Sequence, residues 1–600
     1  MLSPDSRSVA IDFLRAPAGY TLDTAVITTY SLDLEALLAL PLAMLAHSEG
    51  TIERLLAEPL LMTEALRQAG RRIHVFVDEG AIAVPHRERT LYGLLEPSVH
   101  PVRAPRGGAF HPKVWVARFE SEAHKAPLIR VAVLSRNLTY DRSWDVAMVS
   151  EARPAPKKTD PMGRSLAAFL RALPRLPREG HALTDRTPVE SLARDVARTR
   201  FPAPEGFEGF LAFHVLGLPD LAEARPAFPP EQAREILAIS PFLGGPALDE
   251  LARAGSGHKI LISRQTALDD VPPAALARWD EVFVLTDLAE GEPEDDAPMR
   301  PSGLHAKILA VEGRRSVDWY VGSANITPAA FHGKNVEVVC SATGPRRGRN
   351  ARGIEAFRES GFLDLCEPYQ RSPSKEKDEE IAAATRRMEE ARSVLAGAAL
   401  RLVCRPTTDD GTWRLRLEGD LPDLGDVRAR VHPLSLPKEQ AVDLTDAPEW
   451  TLPLSRLVAF LGVRLSIDVH GVDDLTFTLK LPAEGLPEGR ISSVLLGLID
   501  TKEHFLRFLR ALLGGLEEAW GQDLEAGHGE GAGQTWSPFL DADTLLEDLV
   551  RTASRDPERL EPVGRLIRDL MAGEGGRDIV PKDLLRLWDA VRKAIEEAKS

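Results

Sequence analysis

Residues 25–33 (AVITTYSLD) alternate apolar and polar side chains at the two-residue period of a strand, then run into LEALLALPLAMLA, an apolar pattern of helical type. A second apolar strand follows at Arg72–Asp78. The same order returns later: EILAISPF at 235–242, a helical pattern in ALDELARA, then HKILISR at 258–264. Strand–helix–strand units with apolar strands predict α/β sheets covered by helices. Two such stretches in one chain amount to an internal repeat.

The repeat divides the chain. Residues 1–205 form a first α/β half and 206–370 a second, with a Pro- and Arg-rich loop around 172–206 between them. Beyond it the pattern changes. Lys375 to Leu400 is charged, with apolar Ile381, Met388 and Leu395 at heptad-like spacing, and predicts a helix. Residues such as Thr412–Glu418 and Leu475–Leu481 alternate as strands, which gives a unit of helix plus β structure over 371–490. From 491 to 600 the pattern is helical. Phe505, Phe508, Leu509, Leu512 and Leu513 share a face, a Gly-rich loop lies near 527–533, and a last helix starts at Pro581 with Leu584, Leu587, Trp588, Val591 and Ile595.

At 600 residues the chain is about four times a ~150-residue domain, in keeping with several units. An apolar fraction of 44% suits packed cores. No basic segment followed by an apolar one opens the chain and no apolar run approaches membrane-spanning length, so a cytoplasmic protein without a membrane partner is expected. Cys340, Cys366 and Cys404 are too few and too scattered for a disulfide framework or a thiolate metal site.

The net charge of −16 argues against indiscriminate binding to polyanions, but charge is segregated. Between Pro101 and Arg142 eight Arg or Lys stand against three acids, whereas acids gather at 290–296. The basic stretch holds the first of two matching motifs, Phe110-His-Pro-Lys-Val-Trp-Val116, followed by VAVLSRNLT at 131–139. The second half has Leu304-His-Ala-Lys-Ile-Leu309, followed by WYVGSANIT at 319–327. Strand alternation would put His111 with Lys113, and His305 with Lys307, on one strand face, and Asn137 and Asn325 at strand ends opening into a cleft.

Such a set fits phosphodiester cleavage. That reaction needs a nucleophile, an acid for the leaving oxygen, and positive charge or donors around the phosphorane oxygens. Two histidines divide the first tasks; two lysines and two amides serve the last, with no metal or other cofactor required.

These residues resemble the phospholipase D superfamily over roughly residues 20 to 345. The second copy reads His305-Ala-Lys307, Gly322-Ser-Ala-Asn-Ile-Thr327 and Asn335-Val-Glu337; the first reads His111-Pro-Lys113, Ser135-Arg-Asn-Leu-Thr139 and Ser143-Trp-Asp145. The resemblance implies two fused αβα halves related by a pseudo-twofold axis around one active site. It also implies a phosphohistidine intermediate. His111 is then the nucleophile and His305 the acid, although the residues alone fit either order. Asp145 and Glu337 match acids that fix an imidazole tautomer. Ser135, Ser323 and Arg136 stand at positions suited to holding substrate. Arg118 and Glu312 stand where many members carry an Asp five residues after the Lys, so the chain looks more like the His-Lys-Asn variant of tyrosyl-DNA phosphodiesterases and some nucleases.

Nucleic acid is therefore the expected substrate, with phospholipid hydrolysis or transfer as one alternative and a catalytically silent binding module as another. The leucine-rich stretch ISSVLLGLIDTKEHFLRFLRALL loosely resembles segments that follow such nuclease domains in bacterial phage-defence proteins. That resemblance implies a helicase-like or other defence partner held through the C-terminal region.

Overall fold

A computed structural model describes residues 13–45 and 70–487, apart from 71, 87, 122–123, 141–142, 156–160, 179, 220, 222–227, 287–302, 374–378, 409–410 and 445–447, and from 489 onwards scattered positions and 579–599. The chain is a mixed α/β protein with several mixed sheets. The first sheet contains β1 (Thr21–Thr29), β2 (Ile73–Asp78), β3 (Val99–Val102), β4 (Val114–Ser121), β5 (His124–Leu134) and β6 (Ala147–Ala152), in the order β3-β2-β1-β4-β5-β6. The second contains β7 (Glu208–Leu216), β8 (Glu235–Ile239), β9 (Lys259–Ser263), β10 (Glu281–Leu285), β11 (Ile308–Glu312), β12 (Ser316–Gly322), β13 (Glu337–Pro345) and β14 (Cys366–Pro368). Its order is β14-β10-β9-β8-β11-β12-β13-β7.

In both sheets three parallel strands, β1, β2 and β3 in the first and β8, β9 and β10 in the second, meet an antiparallel run. β1 pairs parallel with β2 and antiparallel with β4; β8 pairs parallel with β9 and antiparallel with β11. The parallel strands are apolar on both faces because both faces are covered. On the outer side of the first sheet, Ala25, Ile27, Val75 and Val77 pack with Leu34, Leu37 and Leu38 of the helix Leu34–Leu45. On the outer side of the second, Ile236, Ala238 and Leu261 pack with Leu248 and Leu251 of the helix Gly245–Ala254. The inner faces share one core, in which Val131 and Val133 join Val338 and Cys340. The expected αβα halves are therefore adjusted: the inner face of each sheet is closed in part by the other sheet.

The segment expected as a loop around 172–206 includes the helix Thr187–Val196, whose Val189, Leu192, Ala193 and Val196 are buried at helical spacing. The helix expected from Lys375 spans Glu379–Ala396, and residues 374–378 lie outside the described set. After it come two four-stranded sheets sharing one core. This β unit leans on the first sheet. The Thr478 N–H donates to Ile82 O at 2.7 Å, and Glu96 accepts from the Ala459 N–H at 2.7 Å and from Arg490 at 2.9 Å.

The Gly-rich stretch 527–533, the acidic run 290–296, and Phe508, Leu512 and Leu513 lie outside the described residues. Phe505, Leu509, Leu584 and Val591 are buried in one cluster; the last helix runs Lys582–Lys599, starting just after Pro581. Among the described residues no helix is long and apolar enough to cross a membrane.

Candidate active site

The His-x-Lys segments do not lie within their strands, as alternation predicted. β4 begins at Val114 and β11 at Ile308, each just after the lysine. Before that point each segment leaves its own sheet and pairs with the other. Phe110 bridges Val336 and Leu304 bridges Trp144, both parallel. The His111 N–H donates to Val336 O at 3.0 Å, and the His305 N–H to Trp144 O at 2.9 Å. A backbone that must satisfy its donors away from its own ladder finds them on the opposite sheet. Asn137 and Asn325 stand three residues beyond the ends of β5 and β12.

The crossing carries the acids with it. His111 Nδ1 lies 2.9 Å from Glu337 Oε2, at the start of β13 in the second sheet. His305 Nδ1 lies 2.9 Å from Asp145 Oδ1, which precedes β6 in the first. Each carboxylate is fixed in turn by the serine of its own motif. Ser135 Oγ donates to Asp145 at 2.6 Å and accepts the Val146 N–H; Ser323 Oγ donates to Glu337 and accepts the Val338 N–H. The serines expected at the phosphate hold the acids, and both are fully buried. With Nδ1 engaged, Nε2 is the nitrogen each imidazole leaves for a reacting group.

The lysines lie deeper than the histidines. Lys113 is 0% and Lys307 2% exposed, against 13% and 16% for the two imidazole side chains. Each lysine donates to the carbonyl of its own histidine, Lys113 to His111 O at 2.9 Å and Lys307 to His305 O at 2.6 Å. Burial lowers the affinity of both ammonium groups for their protons, and Lys113 depresses Lys307 further. Burial also holds both imidazoles below their ordinary range; Glu337 and Asp145 oppose this, while each lysine presses on the histidine of the other motif. Burial would raise Asp145 and Glu337, but their histidines, serines and the lysines outweigh it and keep both acids ionised. The two motifs are one electrostatic unit.

Asn137 and Asn325 each have a buried side-chain oxygen without a hydrogen-bond partner among the described residues. A buried amide with unused capacity costs about 1–3 kcal/mol, and rotating it would present the NH2 instead. Both are suited to meet a ligand oxygen. Arg136 folds back to Thr139 O at 3.1 Å, with its guanidinium 3.9 Å from Asp145.

Several neighbours to which the sequence assigned no role complete the site. Asn335 accepts the Ala109 N–H at 3.0 Å and donates to Glu337 at 3.2 Å, so it ties the crossing to the acid. Tyr30 stands 5.3 Å ring to ring from His111, and Lys113 Nζ lies 5.8 Å from its ring centroid. Asp78 accepts the Phe110 N–H at 2.6 Å, and burial pushes its carboxyl up to about 7. The basic stretch reads differently in three dimensions. Arg103 pairs with Glu79, Arg118 with Asp23 and Asp195, and Arg130 with Glu151. Those counterions come from other segments of the chain and lower the net charge around these three side chains. Arg118 and Glu312, the two departures from the family pattern, both serve ion pairs, Glu312 with Arg346. Among the described residues no group of three or more His, Cys, Asp or Glu is placed to hold a metal ion.

No family model matches the chain, and no curated protein matches it in sequence. Among solved structures it is similar to a variant of yeast tyrosyl-DNA phosphodiesterase (TM-score 0.33, 11% identity, 56% of this chain and 84% of that one) and to the yeast enzyme itself (TM-score 0.32, 11% identity, 56% and 87%). It is also similar to polyphosphate kinase from Porphyromonas gingivalis, with TM-score 0.29 and 12% identity over 64% of this chain and 52% of that one.

Proposed function

We propose that this chain is a phosphodiesterase of the phospholipase D type, with one active site between two related halves, and that it cleaves nucleic acid. The observation that supports this best is the crossed arrangement: two partly open imidazoles, each held through Nδ1 by the other sheet's carboxylate, with two buried lysines beside them. In this reading His111 Nε2 attacks phosphorus while the bond to the leaving oxygen breaks, and His305 gives that oxygen its proton. His305 then takes a proton from water, whose oxygen attacks phosphorus and breaks the P–N bond. The products are a phosphomonoester, an alcohol and the restored His111. Lys113, Lys307, Asn137 and Asn325 bear the charge of the equatorial oxygens. The units at 371–490 and 491–600 engage a partner, with phage defence as the setting.

The test is cleavage of labelled single- and double-stranded DNA and RNA in excess EDTA by wild type, His111→Ala and His305→Ala. Cleavage that survives the chelator and disappears in both variants is expected. Nucleic-acid binding by all three without any cleavage would replace the enzyme with a binding module.

A further inference from the structure

The hydrogen bonds below the two asparagines put the sheets in register. Thr29 Oγ1 accepts the Leu138 N–H and donates to Ser31 O; Ser240 Oγ accepts the Ile326 N–H and donates to Phe242 O. Thr29 and Ser240 are therefore equivalent, and so are Ser31 and Phe242. The parallel pairings of Thr29 with Val77 and of Ile239 with Ile262 then make Asp78 equivalent to Arg264. The contacts agree: Asp78 takes the N–H of Phe110, and Arg264 Nε donates at 2.5 Å to the carbonyl of Leu304, the residue before His305.

The two sides of the site therefore differ in kind. Beside His111 stand a carboxyl group and Ser31; beside His305 stand a guanidinium and a phenyl ring. The ring is 50% exposed, the most exposed of the large hydrophobic side chains on the described surface. The Arg264 guanidinium lies 5.5 Å from its centroid, which holds the ring in place and leaves its other face to solvent. Phe242 belongs to a short turn pinned at both ends beside Asn325: Leu243 bridges Ile326, and the Gly244 N–H donates to Ile326 O at 2.8 Å. An exposed aromatic beside a cation offers a flat apolar face to a ligand.

We propose that Phe242 and Arg264 form a nucleotide subsite on the His305 side: an unpaired base of single-stranded nucleic acid stacks on the Phe242 ring, and Arg264 meets the phosphate that flanks the scissile one. Stacking needs a free base face, so the subsite selects single strands over duplex. It exists on one side only, so it also fixes the direction in which a strand crosses the two histidines. This inference rests on the nuclease reading above.

Its test compares the affinity of the full chain, carrying His111→Ala to prevent turnover, for a short labelled single strand of DNA and for a strand of equal length and charge whose sugars bear no bases. The normal strand is expected to bind about tenfold tighter, equivalent to about 1.4 kcal/mol and within reach of a single stacked base. Adding Phe242→Ala should bring the two affinities together, and Phe242→Trp should keep them apart. Arg264→Gln should weaken both strands alike and flatten the salt dependence. An unchanged preference for bases in Phe242→Ala, with both strands still bound, would overturn the subsite and leave the nuclease reading standing. If no variant binds either strand and wild type cleaves neither, the nuclease reading falls and the subsite with it.

Discussion

His111 and Glu337 are 226 residues apart in the chain and 2.9 Å apart in space, the histidine of one motif held by the acid of the other. His305 and Asp145 repeat the relationship in reverse. Glu337→Gln is expected to lower kcat by about 10²-fold or more, because the amide can favour the wrong imidazole tautomer. By NMR, that substitution should move the ring signals of His111 and spare those of His305; Asp145→Asn should do the opposite. Responses within the same motif would refute the crossing.

The pH dependence follows from the two imidazoles. As nucleophile His111 must be unprotonated, and as acid His305 must carry its proton. Burial holds both below the ordinary 6.5, so raising the pH above that value strips His305 and lowers kcat/KM, while acidification protonates His111 and lowers it again. A bell with its maximum on the acid side of 6.5 is expected from initial rates across the range. Rates that go on climbing through neutrality would count against the assignment.

Asp78 should be a stability liability with a functional reason. Its folded pKa, about 7, lies above the ordinary 3.8, so the stability it contributes is present below 3.8 and is lost as the pH rises to about 7. Asp78→Asn keeps an acceptor for the Phe110 N–H without a charge to bury. The variant should be stabler by about 1–3 kcal/mol at pH 8 and little changed at pH 4, as read from urea unfolding at each pH. A gain of equal size at both pH values would rule out titration as its cause.

Strands were legible where apolar residues alternate or run together, as in Ile73–Asp78 and Lys259–Ser263, because local pattern and burial agree there. The gathering of both His-x-Lys motifs was legible as a repeated spacing. Which acid serves which histidine was not, since that depends on how two sheets meet. Nor were the counterions of Arg103 and Arg118 legible: Glu79 and Asp195 are close to them only after folding. Tyr30, Asp78 and Arg264 belong to no motif, and their importance comes from register alone.

Close packing under the crossing gives a further test. A Cβ on Gly108 would come within 2.4 Å of Lys334 O and 2.7 Å of the Asn335 side chain. Gly108→Ala must push residues 334–336 away from Phe110 and drag Glu337 off His111. The cost should be about 1–3 kcal/mol of stability with a large loss of activity, while Gly107→Ser, one residue away with nothing within 4 Å of its Cβ, should cost about 1–2 kcal/mol for its left-handed φ and spare activity. Thermal melts with parallel rates would decide; equal activities for the two variants would show that the crossing tolerates displacement.

The exchange of carboxylates has a consequence for inheritance. A gene that lost Glu337 would disable a histidine encoded far upstream, and one that lost Asp145 would disable a histidine encoded far downstream. Neither half can therefore drift on its own, and a change tolerated at one of these positions has to be answered at its distant counterpart. Among descendants of this gene, positions 111 and 337 should be kept or lost together, and so should 145 and 305, whatever happens to the sequence between them.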